Sequence, residues 1–189
     1  MYKGKPVILA SQSPRRKQLL EQAGIPFEVR VVETPETFPP EMPIPEVPAH
    51  IARQKAEAVT VLCEANDIII AADTVVVLDD KVIGKPKDRE DAIGILSALS
   101  GRTHQVITGV VIKQGDREQV FSKTTDVHFK SLTTDQITYY VDQYKPFDKA
   151  GAYAIQEWIG AVGIDSINGC FYNVMGLPVS RVVVELEAF

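Results

Sequence analysis

The chain has 189 residues, 45% hydrophobic and 24% charged, with a formal net charge of −5. That length can bury the core of one compact domain, with or without two lobes, and the acidic balance argues against duplex DNA, leaving at most a local basic cleft. Cys63 and Cys170 are far apart and match no metal or redox spacing, so they read as core residues in a reducing compartment.

Near the start, Lys3 and Lys5 precede an apolar run that is too short for a signal peptide, and no stretch approaches a membrane span. A cytoplasmic protein without membrane contact is expected. Val7-Ile8-Leu9-Ala10 then reads as a short buried strand passing through Ser11-Gln12 into a helix, with Ser13 at the N-cap and Pro14 as the first helical residue. Arg15 and Arg16 fall in that helix's first turn, where the macrodipole disfavours cations by roughly 0.3–1 kcal/mol each. Two guanidinium groups, two small hydroxyls and the N–H groups of a helix start suit a phosphate chain; a capped helix with solvated arginines is the plainer alternative. Leu19, Leu20 and Ala23 face inward and Gly24 stops the helix.

Residues 27–32 form a second predicted strand. Residues 33–47 carry five prolines among acids, Glu36 included, and read as a surface loop whose acids face either solvent or a metal. A helix over 48–64 places Ile51, Lys55, Ala58 and Leu62 on one face, so that Lys55 interrupts an apolar stripe. Either its stem packs and its ammonium reaches water, or it meets an anion.

Ile68-Ile69-Ile70-Ala71-Ala72 runs into Asp73-Thr74 before Val75-Val76-Val77-Leu78 continues. A carboxylate at the waist of a buried strand requires a partner or a cation, which makes Asp73 the leading catalytic candidate, against a structural aspartate at a bulge. Asp79-Asp80 turns the chain into Lys81-Val82-Ile83, carrying Gly84-Lys85-Pro86 past the hairpin. Asp88, with Asp91 at the capping-box position, opens a helix that Gly101 stops, and Thr133 with Gln136 opens another. Between them, residues 106–112, 119–122 and 127–129 read as strands of an antiparallel meander turning at Gln114-Gly115-Asp116. His50, His104 and His128 lack ligand spacing. Small residues from Ala150 to Ala154 permit close backbone approach before Gln156, whose amide can read a base edge. Met175-Gly176-Leu177-Pro178 leads into a last helix over 179–186.

Walker, dinucleotide-fingerprint, zinc-protease and nucleophile-elbow patterns are all missing from the sequence. What is left is a set of cations, Arg15, Arg16, Lys55 and Lys85, with one buried acid, Asp73, a combination suited to phosphoanhydride chemistry.

Taken together, Ala10-Ser11-Gln12-Ser13-Pro14-Arg15-Arg16, Lys55-Ala56, Ala72-Asp73-Thr74-Val75, Gly84-Lys85-Pro86, Leu99-Ser100-Gly101-Arg102-Thr103-His104, residues 148–156 and Met175-Gly176-Leu177-Pro178 resemble the Maf family of nucleoside triphosphate pyrophosphatases, in the right order over nearly the whole chain. The resemblance implies a single domain over 1–189, an α/β fold with a mixed elongated sheet, flanking helices and two lobes around a deep cleft, similar to inosine triphosphate pyrophosphatases, and a homodimer. Ser11, Arg15, Arg16, Lys55, Asp73, Lys85 and Gln156 fall on the family's polar site, with the aspartate as proton acceptor. Arg15, Thr74 and Gln156 match positions tied to substrate choice. The pattern is similar to the branch that hydrolyses dTTP and UTP to monophosphate and pyrophosphate. A divalent ion, Mg²⁺ or Mn²⁺, is expected with it, Asp73 being the first candidate to hold it and Glu36 of the acidic loop a lesser second. Lys145, where an acid is frequent, and Ala154, where glycine is usual, depart from it. A non-catalytic nucleotide-binding regulator of cell division, or a pyrophosphatase for 7-methyl-GTP or inosine-type triphosphates, are the competing expectations.

Overall fold

Among the described residues, Gly4 and 6–189 of a computed structural model, the order is β1 (Val7–Leu9), α1 (Pro14–Gln22), β2 (Phe27–Val29), α2 (Val47–Thr60), β3 (Ile69–Leu78), β4 (Lys81–Ile83), α3 (Arg89–Leu99), β5 (Thr103–Gln114), β6 (Arg117–Phe129), α4 (Thr134–Tyr144), α5 (Trp158–Gly163), β7 (Ile164–Asn168), α6 (Phe171–Met175) and α7 (Val179–Leu186). Lys3 and Lys5 lie outside the described residues. The described strands form a seven-stranded mixed sheet in the order β2-β1-β3-β5-β6-β7, with β4 paired to β3. No described helix is long and apolar enough to cross a membrane. The backbone divides into two compact units. The first holds the described residues up to Asp73 with Thr108–Lys123 and Gly176–Phe189, and the second holds Thr74–Ile107 and Thr124–Met175.

In the first unit β1 pairs in parallel with β2 and with β3. Ile8 and Ala10, and likewise Ile69 and Ala71, alternate onto one sheet face, where they meet Ala52, Ala56 and Val59 of α2. Those three positions follow helical spacing. Of the Ile51, Lys55, Ala58, Leu62 face read from the sequence, only Ile51 is among the buried residues of α2. Leu62 is half-exposed beyond the helix end, and Lys55 stands at the stripe's border. β2 stops three residues earlier than expected because its partner β1 ends at Leu9, whose carbonyl accepts the last bond on that side, from the Arg30 N–H at 3.2 Å. Ser13 sits at the N-cap of α1 but makes no side-chain cap bond; its N–H donates instead to Ser11 Oγ at 3.3 Å. Gly24 stands at positive φ past the helix end, as expected of a stop. Cys63 and Cys170 are free thiols and only partly buried, rather than core.

In the second unit the β3–β4 hairpin pairs Leu78 with Lys81. Asp79 and Asp80, at φ 50° and 56°, form the two-residue turn whose twist suits a hairpin. Asp88 caps α3 by accepting from the Asp91 N–H at 2.9 Å, while the Asp91 carboxylate accepts from the Lys87 N–H rather than from the cap residue. The Thr133–Gln136 box on α4 is complete in both directions, a feature whose cap hydroxyl is worth about 1 kcal/mol. The strands read separately at 119–122 and 127–129 are one continuous strand, β6. Polar residues 122–126 hide its alternation, although Thr125 and Val127 are fully buried. The short elements α5, β7 and α6 were not anticipated. In β7 the apolar residues Ile164 and Ile167 are three apart, and an irregularity in the pairing between His128 and Phe129 brings them into register with β6.

His104 lies in this unit, 2% exposed, with Nε2 2.7 Å from the Tyr153 hydroxyl and its ring against Phe129 and Tyr153. Burial lowers its pKa to about 4. An unfolded histidine, at about 6.5, binds the proton first. The contribution of His104 to stability is therefore whole above about pH 6.5 and is lost as pH falls toward 4, on the order of 3 kcal/mol across that window. Thermal melts between pH 7.5 and 4.5 should show this acid slope in the native protein and a shallower one in His104→Gln.

Candidate active site

The first unit gathers six of the residues singled out in the sequence. α1 carries no acid in its first turn. Arg16 folds inward, 8% exposed, donating from Nε to the Gly176 carbonyl at 2.7 Å and from Nη1 to Ser11 Oγ at 3.1 Å. Burial pulls its guanidinium below the ordinary pKa, Asp73 and Glu36 oppose that, and Arg15 reinforces it. Arg16 thus feels Asp73, Arg15 and Glu36 together. It is also a pinned group, held by main chain just before α7. The Met175-Gly176-Leu177-Pro178 motif, read from the sequence as a helix opening and as part of the family resemblance, supplies that acceptor.

Lys55 does not send its ammonium to water. Its side chain is 15% exposed, with Nζ 2.7 Å from Asp73 Oδ1 and 2.8 Å from Glu36 Oε1. Asp73 lies inside the continuous strand β3, and its carboxylate accepts from the Lys55 ammonium. Glu36 stands at φ 49°, a left-handed conformation that non-glycine residues adopt uncommonly. The next residue is fastened too: Gln54 Nε2 donates to the Thr37 carbonyl at 2.8 Å and lies 3.0 Å from His50 Nε2. The acidic loop read as solvated or metal-facing is therefore fixed to α2 at Glu36 and Thr37. Gln54 and His50 were missed in this role; their only sequence signal is that they share the helix with Lys55, one and five residues before it.

Three further residues lie in the second unit. Thr74 follows Asp73 in β3 and is partly buried. Lys85 is exposed, and the residue before it is held by its carbonyl, which accepts from the Gly151 N–H at 3.1 Å. Gln156 is exposed directly after the buried run 151–155, in a turn closed by the Glu157 N–H donating to the Ala154 carbonyl at 3.1 Å. The bond between residues 84 and 151 ties two of the sequence motifs together inside this unit.

Chemically, the first-unit group combines three cations, Arg15, Arg16 and Lys55, with two carboxylates, Glu36 and Asp73, leaving one net positive charge beside a carboxylate able to take a proton. Among the described residues there is no cluster of three or more His, Cys, Asp or Glu side chains that could hold a metal. Two carboxylates sharing one ammonium are hard oxygen donors of the number that Mg²⁺ commonly uses when substrate phosphates complete its shell. The donor set therefore fits an ion that arrives with a phosphate ligand.

Comparison with known proteins gives a consistent result. A family model described as Maf-like protein matches residues 6–189. A dTTP/UTP pyrophosphatase of Parabacteroides distasonis is 50% identical over 97% of this chain and 95% of its own. One of Bacteroides thetaiotaomicron is 46% identical over 96% and 94%, and one of Cytophaga hutchinsonii is 50% identical over 96% and 83%. Among solved structures, the Ham1 protein of Staphylococcus aureus aligns with a TM-score of 0.46 at 18% identity, over 66% of this chain and 72% of that one. With a matching family model over nearly its full length and relatives at about half identity, the chain belongs to the Maf-like protein family.

Proposed function

We propose that this protein hydrolyses dTTP and UTP to the nucleoside monophosphate and pyrophosphate. The names of its relatives support the substrates, and the observation that carries the chemistry is the Lys55–Asp73 pair at 2.7 Å inside a group of arginines. In this reading water attacks the α-phosphorus, Asp73 takes the proton of that water, and the bond from the α-phosphorus to the bridging oxygen breaks to release pyrophosphate. Arg15, Arg16, Lys55 and Lys85 offset the charge of the phosphate chain, a task for which fixed cations need no reorganisation. Arg16 is pre-positioned by Gly176 and Ser11, and the Ser11 hydroxyl, which accepts twice, keeps its own O–H to donate to a phosphate oxygen. Asp73 and Glu36 would hold Mg²⁺ or Mn²⁺, and such an ion supplies charge neutralisation at the phosphate oxygens when bound.

Base choice rests on Gln156 with Arg15 and Thr74. Uracil and thymine present an acceptor–donor–acceptor edge that a carboxamide with nearby main-chain groups matches, whereas cytosine reverses part of that order. A site built to pair with one polar edge leaves its own groups unsatisfied on the wrong one. The family resemblance also carries a homodimer into this proposal, and the two free thiols fit a reducing, cytoplasmic setting.

Product analysis of dTTP turnover in heavy-oxygen water tests the reaction. Equimolar dTMP and pyrophosphate, with the label in dTMP, is expected. Nucleoside diphosphate with orthophosphate, or label in pyrophosphate, would contradict it, and binding without turnover would favour the regulator.

A further inference from the structure

The turn that presents Gln156 is held from beneath by a polar network that the proposed reaction does not use. Tyr140, on α4 and fully buried, accepts at its hydroxyl from the Ala154 N–H at 3.1 Å and donates through the same hydroxyl to Glu157 Oε2. Ala154 and Glu157 are the first and last residues of the turn, so one phenol grips both ends of the four-residue loop that carries Gln156. Glu157 is placed in turn by Lys149, whose ammonium lies 3.7 Å from Oε1 and is 10% exposed. On the other side the turn meets backbone: a Cβ on Gly160 would fall 1.7 Å from the Ile155 carbonyl oxygen, so α5 packs directly against the loop. An exposed amide on a turn that is fixed at both ends has the preorganisation expected of a group that reads a polar edge.

We infer that Tyr140 and Glu157 are positioning residues for base selection, setting the height and angle of the Gln156 amide without touching the nucleotide. The inference rests on the reading of Gln156 given above and deepens it. Without the Tyr140 hydroxyl, the buried Ala154 N–H loses its acceptor and Glu157 its donor. The turn then relaxes, and the amide no longer meets one pyrimidine edge better than another.

The test compares kcat/KM for dTTP and CTP in five variants of the full chain. Tyr140→Phe should lower the dTTP-to-CTP ratio about tenfold with kcat for dTTP within about threefold of the native value. Gln156→Ala should lower the same ratio through a loss in kcat/KM for dTTP, and the double variant should be no less selective than either single change, since both act through one group. Glu157→Leu should also erode selectivity, whereas Glu157→Gln, whose amide oxygen still accepts from the phenol, should preserve it. Because Glu157→Leu leaves Tyr140 in its core, it carries the test even where Tyr140→Phe folds poorly. If Gln156→Ala lowers the ratio while Tyr140→Phe or Glu157→Leu leaves it intact, the positioning role is wrong and the Gln156 reading stands. Full selectivity in Gln156→Ala overturns both. Effects that add in the double variant place Tyr140 in some other role.

Discussion

Replacing Asp73 with asparagine is expected to leave the fold and nucleotide binding in place while turnover of dTTP falls by about a hundredfold to ten-thousandfold, the range for loss of a general base. Asparagine keeps an acceptor for the Lys55 ammonium, and Glu36 remains its second partner at 2.8 Å. The variant should therefore melt within a few degrees of the native protein, so lost activity cannot be ascribed to unfolding. Steady-state kinetics with a thermal melt and a binding titration check this. Near-native turnover would remove Asp73 from its role as proton acceptor.

Lys55→Ala should have the next largest effect, by a different route. The change removes the cation shared by Asp73 and Glu36 and leaves two carboxylates facing the space it filled. Triphosphate turnover should drop about a hundredfold or more, the scale for losing one fixed stabilising donor, with monophosphate product binding changed only a few-fold. The split is informative because a lysine that merely supports the fold would weaken both equally. Lys85→Ala should show the same split with a smaller amplitude, since Lys85 is exposed and has solvent competing for its charge.

Much of this arrangement was legible in the sequence because its strongest signals are local. The Asp79-Asp80 hairpin, the Thr133–Gln136 box and the Ser13-Pro14 helix start are each set by a few adjacent residues, and each appears where those residues put it. The suspicion attached to Lys55 also came from local pattern, although of the face assigned to it only Ile51 is buried. Helical spacing admits two adjacent stripes, and small residues such as Ala52 and Ala56 give a weak hydrophobic signal while packing tightly against the sheet. The partners of the site residues were not legible. That Lys55 is shared between Glu36 and Asp73, that Arg16 is held by the Gly176 carbonyl 160 residues away, and that Tyr140 grips the Gln156 turn all depend on long-range packing. Likewise β7 was missed because its apolar residues follow the strand period only once the irregular pairing with β6 is known.

The most direct test of the central claim is the release of pyrophosphate by the purified chain with Mn²⁺, measured side by side for dTTP, UTP, CTP, dGTP, ITP and 7-methyl-GTP. The proposed base reading requires kcat/KM for dTTP and UTP to exceed every other value by at least about tenfold. Equal rates across the panel, or a preference for ITP or 7-methyl-GTP, would contradict it.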